Sequence, residues 1–197
     1  MRHEIAAMKR NRAKVERVQD VVVLDISTFP ANVEFRFGGD RDARRSYAPG
    51  LMAACVYATR GHKYRNYLPN QAETLLKQLE TADELVTFNG LKYDLVVLEK
   101  HYGLSRHVAL RSSHTDLALI FEQAIGRWVD FNEVVQLNLG ERKIPISEFP
   151  PDPVNRTDAL AACKSDVRQT YKLWKLFKDG KLKFPVGPTN LTGRGDR

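Results

Sequence analysis

The sequence predicts an α/β domain, in which a mixed sheet of about five or six strands is flanked by helices. Two observations support this fold class. Short apolar or alternating segments, typical of strands, occupy the first third of the chain, and helical periodicity takes over from about residue 70, interrupted by one further buried strand. Antiparallel strands followed by helix, strand and helices are the element order of a sheet that is covered on both faces.

The expected strands are recognised by apolar runs and by alternation. The continuous run Val21–Leu24 indicates a buried strand, and Pro30 ends the segment that follows it. Alternating, β-branched or aromatic residues predict further strands at 33–37, 51–57, 63–67 and 84–88. The strand at 63–67, with its alternating tyrosines, is expected at an edge of the sheet.

Helices are expected where apolar residues recur at steps of three and four residues. They cover about 72–79, 93–102, 115–124 and 130–139, and a long last helix begins at Thr157, a good N-cap. Gly103 and Gly140 follow the second and the fourth helix, a position that glycine commonly takes. The proline-rich stretch 144–155, before the last helix, is expected to be a loop.

The excess of basic residues lies at the two ends of the chain, whose formal net charge is +7. Residues 1–18 carry six Lys and Arg against two acids, residues 172–197 carry seven against two, and the residues between them carry 18 basic and 20 acidic side chains. We therefore divide the chain into a basic arm at 1–19, a domain at 20–180 and a basic tail at 181–197. Such ends suit contacts with nucleic-acid phosphates, docking onto an acidic protein, or plain solvation.

Membrane insertion, export and zinc binding are not expected. No apolar stretch approaches the length of a bilayer span, and the N-terminus lacks the apolar region of a secretory signal. Cys55 and Cys163 lie far apart and outside any CxxC or Cys/His cluster, so neither a disulfide framework nor a zinc site is indicated. These features predict a cytoplasmic protein with free, mostly buried thiols and no membrane partner.

Three aspartates stand at positions that such a fold brings together. Asp25 ends the first apolar run, Asp94 begins a helix after the strand at 84–88, and Asp166 lies in the last helix. Each has an ordinary structural alternative, namely a strand-end aspartate, an acid that favours the helix dipole, and a solvated helix position. Asp166 lies beside the apolar stripe of its helix rather than opposite it, which favours a buried role.

Five segments form an ordered set of motifs over roughly residues 20–178. VVVLDISTFP is an apolar strand that ends in an aspartate, LVTFNGLKYDLVVL joins a strand to Asn-Gly and a later Asp, and ALAACKSDVRQTYKLW holds an Asp-Val pair in a helix. HTDLALIFEQAIG and NEVVQLNLGERK lie between the last two. Together they resemble the DEDD superfamily of 3′–5′ exonucleases, a DnaQ-like group with a ribonuclease H-like fold. The second segment is the most specific match.

In that family four acids hold two divalent metal ions, about 4 Å apart, that activate a water and stabilise the leaving oxygen of a phosphodiester. The resemblance implies that Asp25 bridges both ions, that Asp94 supports the second and that Asp166 completes the first. Mg²⁺ or Mn²⁺ are the implied cofactors, because hard oxygen ligands suit these ions. Asn89 and Tyr93 would shape the substrate side, and the expected substrate is nucleic acid with a single-stranded 3′ end.

Two positions depart from the family pattern. Ser27 stands where the family has a glutamate, and it offers a neutral hydroxyl on the substrate side instead of a charged ligand. One charge lost about 4 Å from an ion is worth roughly 4 kcal/mol at an effective dielectric of about 20. Ala161 and Ala162 stand where the family's water-holding tyrosine or histidine would lie. Unless Glu34 or Asp116 compensates, Ser27→Glu, alone or with Ala162→Tyr, should raise activity.

Three functions remain open from the sequence. The first is a metal-dependent exonuclease, which the ordered motifs favour. The second is an inactive pseudo-exonuclease that serves as a nucleic-acid-binding or protein-interaction module, which Ser27 and Ala162 favour. The third is a subunit whose basic ends dock onto an acidic protein partner.

Overall fold

The computed structural model describes residues 19–28, 50–103, 113–144 and 153–185. In the last of these ranges, the side chains are described from Thr157 onward. The strand expected at 33–37 and most of the two basic ends lie outside the described residues. No helix in this part of the chain combines the length and the apolar character that a bilayer span requires.

Ten regular elements are present in the described residues. The strands are β1 (Val21–Thr28), β2 (Leu51–Ala58), β3 (Lys63–Tyr67), β4 (Glu84–Thr87) and β5 (Ser113–Asp116). The helices are α1 (Ala72–Glu80), α2 (Asp94–Tyr102), α3 (Leu117–Ile125), α4 (Phe131–Leu139) and α5 (Pro153–Lys178), and a short 3-10 turn precedes α1.

The five strands form one mixed sheet in the order β3-β2-β1-β4-β5. The first three strands along the chain pair antiparallel, and β1, β4 and β5 pair parallel. Among the described strands, β3 lies at one edge of the sheet, as its sequence predicts. The predicted α/β fold class, a mixed sheet flanked by helices, is confirmed.

Two element boundaries differ from the prediction. Thr115 and Asp116, which we expected to begin a helix, belong to β5, and α3 begins at Leu117. The strand Ser113–Asp116 is short and polar, so its sequence carries no alternation, and parallel pairing with β4 decides its conformation. The last helix begins at Pro153 rather than Thr157, because proline fits the first turn of a helix, where its missing N–H would have no partner.

The core has two layers, one on each face of the sheet. Side chains of β1 alternate between them, so Val22, Leu24 and Ile26 pack under α1 and α2. Val21 and Val23 face the other layer, which α3, α4 and α5 cover. Since side chains two residues apart share a face, Asp25 and Ser27 also point to the α5 side.

Residues 181–185, which follow α5, contact α3 and α4. The Phe184 ring lies 5.2 Å from the Phe121 ring of α3, measured between centroids. The backbone N–H of Lys183 donates to Asn138 Oδ1 of α4 at 2.7 Å. The packed part of the chain therefore continues beyond α5.

The turn after β4 leaves no room for a larger residue at Gly90. A Cβ added there would lie 2.5 Å from the Thr87 side chain, closer than nonbonded atoms approach. We expect Gly90→Ala to lower the free energy of unfolding by about 1–3 kcal/mol, because either the turn or Thr87 has to shift. Chemical denaturation measures this, and a change smaller than about 0.5 kcal/mol, as at an ordinary surface position, would contradict the tight turn.

Candidate active site

A cavity of about 230 Å³ lies where β1, α2, α4 and α5 meet. Its lining includes four aspartates and one lysine, namely Asp25, Asp94, Asp130, Asp166 and Lys143. All three aspartates of the sequence motifs therefore open into the same cavity, together with two charged residues, Asp130 and Lys143, that were not expected at the site.

The sheet register explains why the three predicted aspartates meet. β1 and β4 run parallel, and Val23 pairs with Val86, so Asp25 lies level with the chain just beyond the end of β4. There the chain turns and enters α2, whose first residue is Asp94. Asp166 comes from α5, which packs on the face of β1 that carries Asp25. The cavity thus forms at the carboxyl end of the parallel strands.

Burial in this cavity makes the charged form of each aspartate unfavourable. Burial, and then the charge of Asp166, raise the pKa of Asp25 to about 8. Burial, and then Asp25 and Asp116, raise the pKa of Asp94 well above its ordinary value. Burial also raises the pKa of Asp166, against the opposing effect of Lys143. The cavity therefore favours protons or cations beside these carboxylates.

Lys143 supplies one positive charge to the cavity. Its Nζ lies 2.9 Å from Asp166 Oδ2, and its own backbone N–H donates to Asn132 Oδ1 at 3.0 Å. Burial alone would lower the pKa of Lys143, but Asp166, and more weakly Asp25 and Asp130, raise it above its ordinary value. The only sequence signal for this residue was its place at the end of the Leu-Gly motif.

Asp116 holds the turn that places α2 and does not line the cavity. It accepts hydrogen bonds from the backbone N–H groups of Asn89 at 2.8 Å, Leu91 at 2.9 Å and Ala118 at 3.1 Å. With both oxygens engaged in this way, Asp116 acts as a brace between β4 and α3. Glu34, the other acid considered as a substitute for the missing glutamate, lies outside the described residues.

Aromatic side chains line the cavity near its opening. Tyr93 is 40% exposed and shares a hydrogen bond between its hydroxyl and that of Thr28. Trp128, which belongs to none of the sequence motifs, is 56% exposed. Asn89 also lines the cavity, with a backbone φ of +65°, in the left-handed region that few residues other than glycine adopt. These groups lie beside the carboxylates without being buried among them.

Ser27 and Ala162 lie in the packed interior. The Ser27 hydroxyl is buried and lies 3.0 Å from Cys163 Sγ of α5, and it is not part of the cavity lining. Ala162 is 0% exposed. The β1 side of the cavity therefore presents one carboxylate, Asp25, and the role of Ser27 toward substrate stays a prediction.

The ligand atoms that the cavity offers are of the type that a hard divalent cation prefers. They are carboxylate oxygens, which suit Mg²⁺ or Mn²⁺, and the buried Asp166 Oδ1 has no hydrogen-bond partner among the described residues. Within the described residues, however, the structure contains no group of three or more His, Cys, Asp or Glu side chains that could hold a metal ion. Binding of Mg²⁺ or Mn²⁺ therefore remains a prediction.

Comparisons with known proteins give the fold. No protein-family model matches the sequence, and no curated protein matches it. Among the solved structures, the family B DNA polymerase from the hyperthermophilic archaeon Pyrobaculum calidifontis resembles 81% of this chain with a TM-score of 0.61 and 14% identity. The match covers only 24% of the polymerase chain. The chain has a ribonuclease H-like fold, with its mixed five-stranded sheet between two layers of helices.

Proposed function

We propose that this chain is a DEDD-type 3′–5′ exonuclease-like protein, which hydrolyses phosphodiester bonds of nucleic acid with two divalent metal ions and is weakened at Ser27 and Ala162. The observation that carries the proposal is the single cavity shared by Asp25, Asp94 and Asp166, in which burial raises the pKa of all three carboxyls. Perturbed carboxylates gathered in a cleft are typical of functional sites.

Two kinds of observation support nucleic acid as the substrate. Five segments of the sequence resemble the DEDD exonucleases in order, and one structural neighbour is named as a DNA polymerase, a protein that acts on DNA. The exposed rings of Tyr93 and Trp128 beside the cavity suit stacking on unpaired bases, which is sequence-tolerant. A single-stranded 3′ end would thus place its terminal phosphodiester near the carboxylates.

Different residues of the cavity would carry out different parts of the reaction. Asp25 and Asp166 would hold divalent cations, with Asp94 in support; when bound, these ions activate a water and stabilise the leaving oxygen. The Lys143 ammonium, held by Asp166, can turn to a phosphate oxygen of the substrate, since its side chain is half exposed. Phe88 and Phe131, with ring centroids 4.7 Å apart, give the cavity an apolar wall that restricts water.

Asp130 is our candidate for the fourth carboxylate, which the motif pattern lacks at Ser27. It lines the cavity from the start of α4, where it accepts the Asn132 backbone N–H at 2.8 Å. We expect Asp130→Asn to lower the rate of hydrolysis about tenfold or more, because the cavity loses one charge. Stability should change little, since asparagine caps helices as well as aspartate does. A wild-type rate in this variant would remove Asp130 from the site.

The direct test is hydrolysis of 5′-labelled single-stranded DNA and RNA by the full chain, with Mg²⁺ or Mn²⁺ and with EDTA. We expect a ladder of products shortened from the 3′ end that appears only with metal and is absent with Asp166→Asn. Activity that persists in EDTA or in Asp166→Asn would point to a contaminating nuclease. Products that begin with internal cuts would contradict a 3′–5′ exonuclease.

A second candidate, an inactive pseudo-exonuclease, is favoured by two observations. Ser27, at the motif's glutamate position, bonds to Cys163 instead of lining the cavity, and Lys143 places an ammonium group where a cation would contact Asp166. On this alternative the protein binds single-stranded nucleic acid equally well with metal and with EDTA, and produces no shortened products. The same assay therefore separates the two functions.

A further inference from the structure

A second and larger cavity lies at the other end of β1, away from the carboxylates. Its volume is about 390 Å³, within the range of small-ligand sites. The lining comes from the start of β1, the residues after β2 and the C-terminal half of α5, and includes Val21, Thr59, His62, Trp174 and Lys175. Val21 and Asp25 are four residues apart along β1, so the two cavities are separated by about 13 Å of strand.

Aromatic rings form a continuous row beside this cavity. The ring centroids of Tyr64 and Tyr57 are 4.8 Å apart, those of Tyr57 and Tyr171 are 4.7 Å apart, and those of Tyr171 and Trp174 are 5.8 Å apart. The last two rings are stacked, with 22° between their planes, and both line the cavity. Tyr64, on the edge strand β3, is 37% exposed. The row thus runs from the cavity to β3, which lies at one edge of the sheet among the described strands.

Basic side chains accompany the row along α5. Between residues 159 and 178 this helix carries five basic side chains, and the single acid in this range, Asp166, is buried against the other cavity. The Lys164 ammonium lies 5.3 Å from the centroid of the Tyr64 ring, and that of Lys178 lies 5.4 Å from the centroid of Trp174. Lys175 lines the cavity and is exposed. The surface therefore combines aromatic faces with positive charge.

A buried carboxylate fixes the position of the cavity wall. Glu84, 1% exposed, accepts hydrogen bonds from Trp174 Nε1 at 2.9 Å and from Thr115 Oγ1 at 2.8 Å. It also forms an ion pair with Lys178 at 3.2 Å. Trp174 and Lys178 are thus held in place before any ligand binds, which reduces the entropy lost on binding. Lys164 and Lys175 form no ion pair within the described residues, so their charges remain available for a ligand.

We propose that this second cavity and the aromatic row are a binding site for single-stranded nucleic acid. One base occupies the cavity against Tyr171 and Trp174, its phosphate contacts Lys175, and a phosphate further along the strand contacts Lys164 beside Tyr64. Stacking on aromatic rings combined with a basic groove is the usual way in which proteins hold unpaired strands without sequence preference. The site is separate from the proposed catalytic cavity and needs neither metal nor its carboxylates.

The two tryptophans of the chain allow each cavity to be observed separately. Trp128 lies at the carboxylate cavity and Trp174 at the second cavity, and the sequence has only these two. In Trp128→Phe, the fluorescence of Trp174 alone reports on the second cavity. We titrate this full-length variant with single-stranded DNA and RNA of about ten nucleotides, in EDTA. We expect quenching of Trp174, and weaker binding as salt is raised.

Charge variants of matched type test which surface binds. Adding Lys164→Ala and Lys175→Ala to Trp128→Phe should weaken the quenching titration about tenfold, through the loss of two phosphate contacts. The matched control, Lys77→Ala with Lys100→Ala, removes the same charge from α1 and α2 on the other face of the sheet and should leave the titration unchanged. Asp25→Asn, which disables the proposed catalysis, should also leave it unchanged.

Three results would overturn this second site. The oligonucleotide could bind, as followed by its own anisotropy, without any change in Trp174 fluorescence. The Lys164 and Lys175 variant could bind as tightly as its parent, or the control pair could lose as much affinity. Inorganic triphosphate could displace the oligonucleotide at equal phosphate concentration, which would indicate a charged patch that does not recognise bases. A chain without exonuclease activity that still shows the expected quenching would support this site while refuting the proposed function.

Discussion

Asp25→Asn is expected to reduce metal-dependent hydrolysis by about three orders of magnitude and, without metal, to stabilise the fold at pH 8. Both effects follow from the position of one carboxylate. Asp25 shares the cavity with Asp94 and Asp166 and interacts electrostatically with both, and in the proposed function it is the carboxylate that would contact both cations. An amide of the same shape keeps the packing and removes the charge. Rates under single-turnover conditions, with saturating Mn²⁺, measure the first effect.

The effect on stability depends on pH in a defined direction. The pKa of Asp25 is raised from 3.8 to about 8 by burial and then by Asp166. The folded state therefore holds this proton more tightly than the unfolded chain does. The resulting stabilisation is complete below about pH 4 and is lost as the pH rises through 8. In EDTA, wild-type stability should fall over this range, and Asp25→Asn should flatten part of the fall.

The stabilisation by Asp25→Asn at pH 8 should be about 2 kcal/mol. We expect less than the full pKa difference would give, because the Asp25 side chain is half-buried and water reaches it. Denaturant titrations at pH 5 and pH 8 measure it, and Asp158→Asn, an exposed aspartate of α5, is the matched control. Equal stability changes in the two variants at pH 8 would contradict the electrostatic strain assigned to the cavity. Mn²⁺ should stabilise the wild type and not Asp25→Asn.

Sequence periodicity was sufficient for the fold because each long element has one dominant pattern. β1 contains the apolar run that a strand buried on both faces requires, and α4 lies between its Asp130 cap and Gly140. β5 was missed, since Ser113–Asp116 is polar and its conformation depends on pairing with β4. The local sequence therefore does not predict that this segment pairs as a strand.

The sequence singled out three of the charged residues that line the cavity and did not single out the other two. Asp94 and Asp166 follow from the motif order, and the structure places both in one cavity with Asp25. Asp130 and Lys143 reach that cavity through the packing of α4 against α5, a tertiary contact that no short motif records. From the sequence alone, Asp130 is only the start of an expected helix and Lys143 only the last residue of a motif.

The packing around Ser27 determines which second substitution should accompany Ser27→Glu in a gain-of-function experiment. The sequence alone suggested Ser27→Glu with Ala162→Tyr, but Ala162 is fully buried, so a tyrosine there would overpack the interior. Cys163 restricts the space for a larger side chain at position 27 more directly, because its Sγ lies 3.0 Å from the serine hydroxyl. A glutamate at position 27 needs the space that this thiol fills. Cys163→Ala is therefore the change that should accompany Ser27→Glu.

We expect Ser27→Glu with Cys163→Ala to raise metal-dependent 3′–5′ hydrolysis by about ten- to a hundredfold. The limit is the roughly 4 kcal/mol, or three decades, that one ligand charge can supply, reduced by relaxation and by water that already replaces it. Ser27→Glu alone should be less stable and gain little, since its carboxylate would press against Cys163. Cys163→Ala alone should lose about 1–2 kcal/mol of stability and gain no activity.

The double variant also decides between the enzyme and the pseudoenzyme. Because the two side chains are in contact, their effects on activity should exceed the sum of the single changes, which a double-mutant cycle measures. Calorimetric titration with Mn²⁺ should show tighter binding than in the wild type, since a further carboxylate then faces Asp25 and Asp166. A wild type already fast, with no gain or a loss in the double variant, would mean that Asp130 or another acid has taken the glutamate's place. Tighter Mn²⁺ binding without any hydrolysis would instead establish that Lys143 and the buried alanine at 162 keep this cavity inactive.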